Sequence, residues 1–133
     1  MSQASLVYLD TSAASKLILH ESETAALQAF LREWPRQVSS QLVEVELTRT
    51  VRRKAQSRIV LLDDFFADMY LRPIEDDVVI LAGLVEPATL RSLDAIHLAT
   101  AVLLREALGC FVTYDNRLAD AARAVGLLVV APV

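Results

Sequence analysis

Two short segments limit what this chain can fold into. LVYLD (Leu6–Asp10) and CFVTYD (Cys110–Asp115) each run apolar for four or five residues, end in an aspartate and pass straight into a helical pattern. Neither alternates apolar with polar, so neither fits a strand with one wet face. Strands buried on both faces belong to parallel sheets covered by helices. In such a sheet the carboxyl ends of the strands share one edge, and ligands bind there. The two aspartates are thus expected side by side on that edge.

The remaining elements follow the same alternation. The pattern turns helical from Ser12, breaks near His20–Ser22, resumes, and is stopped by Pro35. Gln37–Ser40 reads as a strand ending in helix-cap residues. Leu42 to about Ala55 reads as a helix, Leu61–Tyr70 as another, Leu71–Glu75 as a short extended piece and Asp76–Val85 as a helix. Ser92–Leu108 is expected to be the longest helix, apolar nearly all round and closed by Gly109. Cys110–Tyr114 is then a strand, Asn116–Val125 a helix stopped by Gly126, and Leu127–Val130 the last strand. The predicted class is α/β in a single domain over residues 1–133, with a short parallel sheet of four to five strands between helical layers.

Composition narrows the function. Apolar residues are 54% of the chain and mean hydropathy is +0.39, which excludes general disorder. A net charge of −4 argues against attachment to nucleic acid by bulk charge, but not against a nuclease with a local basic rim and a metal. One cysteine and two histidines exclude a disulfide scaffold and a Cys/His zinc site and favour a reducing, cytoplasmic setting. The N-terminus lacks a basic leader region, and Asp10 cuts its apolar run short. The longest weakly polar stretch, Ala95–Leu104, is about half a membrane span, so a soluble protein is expected.

Four carboxylates stand out. Asp10 and Asp115 could simply cap the helices that follow them. Asp94 lies in the first turn after Ser92, where the helix dipole favours a negative charge. On a largely buried helix it is expected to be partly buried, with Arg91 its only near neighbour of opposite charge. At about 100° per residue, Glu46 falls in the apolar arc between Leu42 and Val43, while Glu44 falls near the outer edge. A pair with Arg49 or Arg53 on the same helix, worth a few tenths of a kcal/mol, does not account for a glutamate placed there. Four converging carboxylates without matching cations repel one another, and a hard divalent cation such as Mg²⁺ or Mn²⁺ resolves the repulsion. Such a site activates water and stabilises charge in a phosphoryl displacement.

At these residues the sequence resembles the PIN domain, specifically the VapC-type toxins of bacterial toxin–antitoxin pairs. YLDTSA, SSQLVEVELTR, SLDAIHLATA and VTYDNRLADAA followed by GLLVV occur in the family's order and span nearly the whole chain. The resemblance implies a PIN-like α/β/α fold and a metal-dependent ribonuclease, acting on tRNA or rRNA and neutralised by a cognate antitoxin. It carries the acidic site onto Asp10, Glu46, Asp94 and Asp115 as catalytic and metal-holding residues, with Thr11, Ser12 and Thr113 in support. Many relatives have a further acid two residues after the last aspartate; here that residue is Arg117, against a complete second metal site. Asp120, a turn further on, is expected to be solvated. A homodimer is expected from the apolar excess and from the family.

Other residues have plainer readings. Arg49, Arg52, Arg53, Lys54 and Lys16 could grip RNA phosphates or form solvated faces. His97 reads as a packed core residue rather than a ligand. Phe65, Phe66 and Tyr70 could line a partner surface but fit the core, where Trp34 shares their helical spacing, and Cys110 should be inert. A phospho-receiver needs a late lysine, and Lys16 and Lys54 are the only lysines. An aspartate-nucleophile phosphatase needs a second Asp where Ser12 stands, and Gly83, Gly109 and Gly126 cannot form a phosphate-binding loop. The alternative that remains is a PIN-like RNA- or protein-binding module without catalysis.

Overall fold

The computed structural model describes residues 5–133. The first four positions of the N-terminal segment, expected to lack a basic leader region, lie outside them. Five parallel strands are ordered β3-β2-β1-β4-β5: β1 Leu6–Leu9, β2 Gln37–Ser40, β3 Tyr70–Arg72, β4 Leu108–Val112 and β5 Val129–Val130. The helices are α1 Thr11–Ile18, α2 Thr24–Leu31, α3 Leu42–Lys54, α4 Leu62–Ala67, α5 Asp76–Leu84, α6 Ser92–Leu103 and α7 Asn116–Ala124. No helix among the described residues is long and apolar enough to cross a membrane.

Strand periodicity sorts the side chains into the two faces of the sheet. Tyr8 of β1 and Phe111 of β4 point to one face and pack with Leu98 and Ala101 of α6 and Leu118, Ala121 and Ala122 of α7. Val7, Leu9, Cys110 and Val112 point to the other and meet Ala13, Leu27 and Leu31 of α1 and α2. A third cluster joins α1 to α3 and α4 through Ala14, Ile18, Val43, Leu47, Val51 and Leu62. The result is the three-layer α/β/α arrangement expected. Each fully buried Leu or Phe in these clusters contributes about 1.5–3 kcal/mol relative to exposure.

The structure corrects several boundaries. The helix expected over Ser92–Leu108 ends at Leu103 and is one residue shorter than α3. Arg105–Leu108 is made of good helix formers, but Leu108 pairs with Leu6 at the head of the sheet, so the chain turns through Leu104–Ala107 to reach it. Gly109 consequently lies inside β4 and caps nothing, and the strand begins two residues earlier than Cys110. α6 is also less enclosed than its composition suggests: Leu93 and Leu103 are exposed on its outer side. The helix expected over Leu61–Tyr70 is confined to Leu62–Ala67, follows a 3-10 turn at Gln56–Leu61, and gives way to β3 at Tyr70. The last strand contracts to two residues.

Gly126 ends α7 as expected. Its φ is +89°, its N–H bonds the Arg123 carbonyl, and the Leu127 N–H reaches back to Ala122. A Cβ at this position would meet no atom within 4 Å, so the cost of a side chain there is conformational alone. Gly126→Ala is therefore expected to lower stability by about 1 kcal/mol. Chemical denaturation should show a lower midpoint with an unchanged slope.

Candidate active site

β1 and β4 are hydrogen-bonded neighbours, and each ends in an acid that starts a helix. Asp10 caps α1 by accepting the Ala13 N–H at 2.9 Å, and Asp115 caps α7 by accepting the Leu118 N–H at 3.0 Å. The capping reading is thus correct for both, and it uses only one oxygen of each carboxylate for the backbone. Asp10 is 3% exposed. Its Oδ1 also accepts the Ser12 hydroxyl at 2.7 Å, and its Oδ2 accepts the Thr113 hydroxyl at 2.6 Å. Ser12 Oγ in turn accepts the Tyr114 N–H, and Thr113 Oγ1 accepts the Asp115 N–H at 3.1 Å. These two hydroxyls fasten the ends of the neighbouring strands together. They also fix the orientation of Asp10.

Glu46 comes from α3 and turns inward, as the helical phase predicted. It bonds neither Arg49 nor Arg53. Its Oε1 accepts the Thr11 hydroxyl at 2.5 Å and lies 2.8 Å from His97 Nε2. Glu44 sits half-buried at the edge of the same helix. Asp94 is mostly buried and pairs with Arg91 at 3.0 Å, as expected. The same guanidinium reaches Asp115 Oδ2 at 3.3 Å. The acids are therefore tied together indirectly: Thr11, next to Asp10 in the chain, bonds Glu46, Thr113 joins the Asp10 carboxylate to the Asp115 N–H, and Arg91 bridges Asp115 and Asp94.

The electrostatics follow from burial. Burial pushes the Asp10 carboxyl above the ordinary carboxylate range, against His97 nearby and the hydroxyl and amide donors, all of which favour its charged form. Burial acts on Glu46 in the same direction, but hydrogen bonds from His97 and Thr11 outweigh it and hold this carboxyl below its usual value. Among the described residues, no three acidic, imidazole or thiol groups already sit at the spacing of ligands to one cation. The donor set is nonetheless all oxygen, which suits a hard divalent ion. Arg91 supplies the positive charge between Asp94 and Asp115.

The expected RNA-gripping residues divide. Arg49, Arg52 and Arg53 are exposed and line an open groove with Gln56 on the helix that carries Glu46. Lys16, by contrast, is largely buried and committed: its Nζ bonds Glu23 at 2.8 Å and Glu21 at 3.4 Å and lies 4.7 Å from the centre of the Tyr114 ring. It is not free to bind phosphate in this arrangement. Arg117 and Asp120 are exposed. Phe65 and Phe66 pack against the core clusters, and Tyr70 alone of that group is exposed. Cys110 is buried, its thiol pushed up to about 11.

Sequence reasoning underrated two residues. His97 is buried, as expected, yet its ring joins Glu46 to Tyr8, whose hydroxyl lies 2.8 Å from Nδ1. A tyrosine in an otherwise aliphatic buried strand and a histidine in an apolar helix both need polar partners, and that need was the available signal.

The comparisons with known proteins bear on the family and the fold. The model of the PIN domain matches residues 7–124. The chain belongs to the PIN-domain family. Within it, the chain is similar to the VapC proteins: it is 40% identical to Ribonuclease VapC47 of Mycobacterium tuberculosis, covering 96% of this chain and 97% of the relative. It is 42% identical to Ribonuclease VapC46 of the same species, over 95% and 97%. Among solved structures, a toxin–antitoxin complex from Klebsiella pneumoniae superposes with a TM-score of 0.74 at 23% identity, covering 96% of this chain and 98% of that one. Mycobacterium tuberculosis VapC20, described as a sarcin-ricin loop cleaving toxin, superposes at 0.73 and 18% identity, over 95% and 99%.

One consequence concerns Asp10 alone. Its pKa is raised on folding, so between its unfolded value of about 4 and its folded value the native state binds the extra proton. Wild-type stability relative to Asp10→Asn should therefore fall as pH rises through that window and stay low above it. Melting both proteins in EDTA from acid to neutral pH checks this. At neutral pH the variant should be at least as stable as the wild type.

Proposed function

We propose that this protein is a metal-dependent endoribonuclease, the toxin of a toxin–antitoxin pair. The observation that carries the reading is the gathering of Asp10, Glu46, Asp94 and Asp115 at the carboxyl edge of the sheet. Arg91 is the only Lys or Arg side chain bonded to any of the four among the described residues. Asp10, Glu46, Asp94 and Asp115 would hold Mg²⁺ or Mn²⁺, drawing Asp94 and Asp115 from Arg91. The bound cation would lower the pKa of water and stabilise charge developing on the scissile phosphate.

The remaining work falls to the chain itself. Ser12, Thr113 and the Ala13 N–H orient Asp10, and Thr11 orients Glu46. Arg91, once released, is an exposed guanidinium at the mouth of the cleft, placed to meet a phosphate. Arg49, Arg52 and Arg53 extend a basic track along α3 away from Glu46, suited to the backbone of an RNA strand. The names of the VapC relatives support RNA as substrate, with a structured tRNA or rRNA loop the expected target. The chain works in the cytoplasm on this reading.

The partner reading rests on exposed apolar side chains. Val79, Ile80 and Leu84 of α5 and Leu93 of α6 face outward. A homodimer would cover such a face, and an antitoxin segment carrying a basic side chain would neutralise the acids much as the cation does. The solved toxin–antitoxin structure that superposes on this chain supports the antitoxin.

Two tests follow. With Mg²⁺ or Mn²⁺ the protein should cut RNA to leave 5′-phosphate and 3′-hydroxyl ends, and EDTA should stop it. Glu46→Gln should abolish the cleavage and Glu44→Gln should not. Ends bearing a 2′,3′-cyclic phosphate would refute the mechanism.

Asp94 offers the second test. If Asp94 only complements its helix dipole, Asp94→Asn costs up to about 1 kcal/mol and leaves activity intact. As part of a metal site, its removal should leave the EDTA-treated protein equally or more stable. It should also erase most of the thermal stabilisation that millimolar Mn²⁺ gives the native state, along with cleavage. Melting curves with EDTA and with metal distinguish the two.

A further inference from the structure

Glu46 Oε1 already accepts a proton from Thr11 at 2.5 Å, so that oxygen carries none of its own. His97 Nε2 sits 2.8 Å from the same oxygen. A bare ring nitrogen there would set one lone pair against another, so Nε2 must hold a hydrogen and donate it. Thr11 Oγ1, 3.2 Å from Nε2, has spent its own proton on Glu46 and can share that donor.

The other side of the ring is fixed as firmly. The Tyr8 hydroxyl accepts the Ser40 N–H at 3.1 Å and lies 2.8 Å from His97 Nδ1. The hydroxyls of Ser39 and Thr100, which also border the phenol, donate to the carbonyls of Leu9 and Ile96. In a neutral ring with its hydrogen on Nε2, Nδ1 is bare and can only accept, so the phenol donates its one proton there. Tyr8 is itself immobile, wholly buried and stacked on Phe111 at 5.0 Å between ring centres.

We propose that Tyr8 and His97 form a buried positioning relay that locks the His97 ring as the Nε2–H tautomer and holds Glu46 by one oxygen, leaving Oε2 free for the cation or the water of the reaction. Two donors occupy Oε1, and no donor among the described residues reaches Oε2. Tyr8 lies on β1 two residues before Asp10, so the relay also ties Glu46 on α3 to the strand that carries Asp10. His97 is here a positioning residue and touches neither metal nor RNA. The functional half of this inference rests on the nuclease reading above; the tautomer does not.

The two halves are tested separately. The chain has two histidines, so nitrogen-15 spectra of the metal-free protein show the buried His97 ring beside the exposed His20 ring as an internal reference. His97 is expected to show a protonated Nε2 and a bare Nδ1. A protonated Nδ1, or exchange between tautomers, would overturn the relay. Tyr8→Phe keeps the ring stack but removes the phenolic proton. It should release the Nδ1 side of the ring and weaken Mn²⁺ binding about tenfold, read from the midpoint of the metal-dependent rise in Tm, with kcat reduced and KM for RNA unchanged. His97→Gln, whose amide can still donate to Glu46, should retain more cleavage and tighter Mn²⁺ binding than His97→Asn, which is too short. A folded Tyr8→Phe protein with the wild-type metal midpoint and kcat would overturn the relay while Glu46→Gln stays inactive. Full cleavage by Glu46→Gln would instead overturn the reading of the site on which the proposal depends.

Discussion

The parallel pairing of β1 with β4 is the contact on which the remainder of this molecule depends. It aligns Tyr8 with Phe111 and Leu9 with Val112, and so places the residues after each strand next to one another. Those residues are the ones with chemistry: Asp10, Thr11 and Ser12 after one strand, Thr113 and Asp115 after the other. Ser12 and Thr113 then fasten the two ends with hydrogen bonds that also serve the buried carboxylate. A structural seam and a polar site are built from the same few atoms.

Burying Asp10 is unfavourable by itself, and its raised pKa expresses that cost. The surrounding chain offsets it with two hydroxyls and one backbone amide, none of which carries charge. Among the described residues, the one Lys or Arg bonded to these acids is Arg91, which reaches the outer acids Asp94 and Asp115 from a largely exposed position. The site is thus graded from a rigid, neutral-donor interior around Asp10 to a changeable, cation-bearing mouth. A fixed carboxylate at depth and more loosely held ones at the rim suit the cation site and nucleic-acid substrate proposed above.

Much of this was legible in the sequence because the strands are short and uniformly apolar and their terminal acids abrupt. Glu46 could be assigned inward from helical phase alone, since a charged residue inside an apolar arc is costly unless a polar partner meets it there. What escaped depended on distant pairing. Arg105–Leu108 has every local mark of helix, and only the need of Leu108 to meet Leu6 bends it away. Lys16 looked like a free cation, but Glu21 and Glu23 across the α1–α2 turn claim it. His97 could be called buried, but whether its ring served packing or Glu46 turned on a partner 51 positions away. Periodicity reports which face a side chain takes; it does not report what waits there.

The hydrogen bond between Thr113 and Asp10 spans 103 positions of a chain of 133. No segment that leaves the ribosome early contains both halves of the cleft. While β1, β2 and β3 are already out, Asp10 still lacks its Thr113 donor and Asp115 has not been made. Translation must run past Asp115, and the exit tunnel must then clear, before the centre can close. The order of the strands therefore delays the centre until nearly the whole chain has been made.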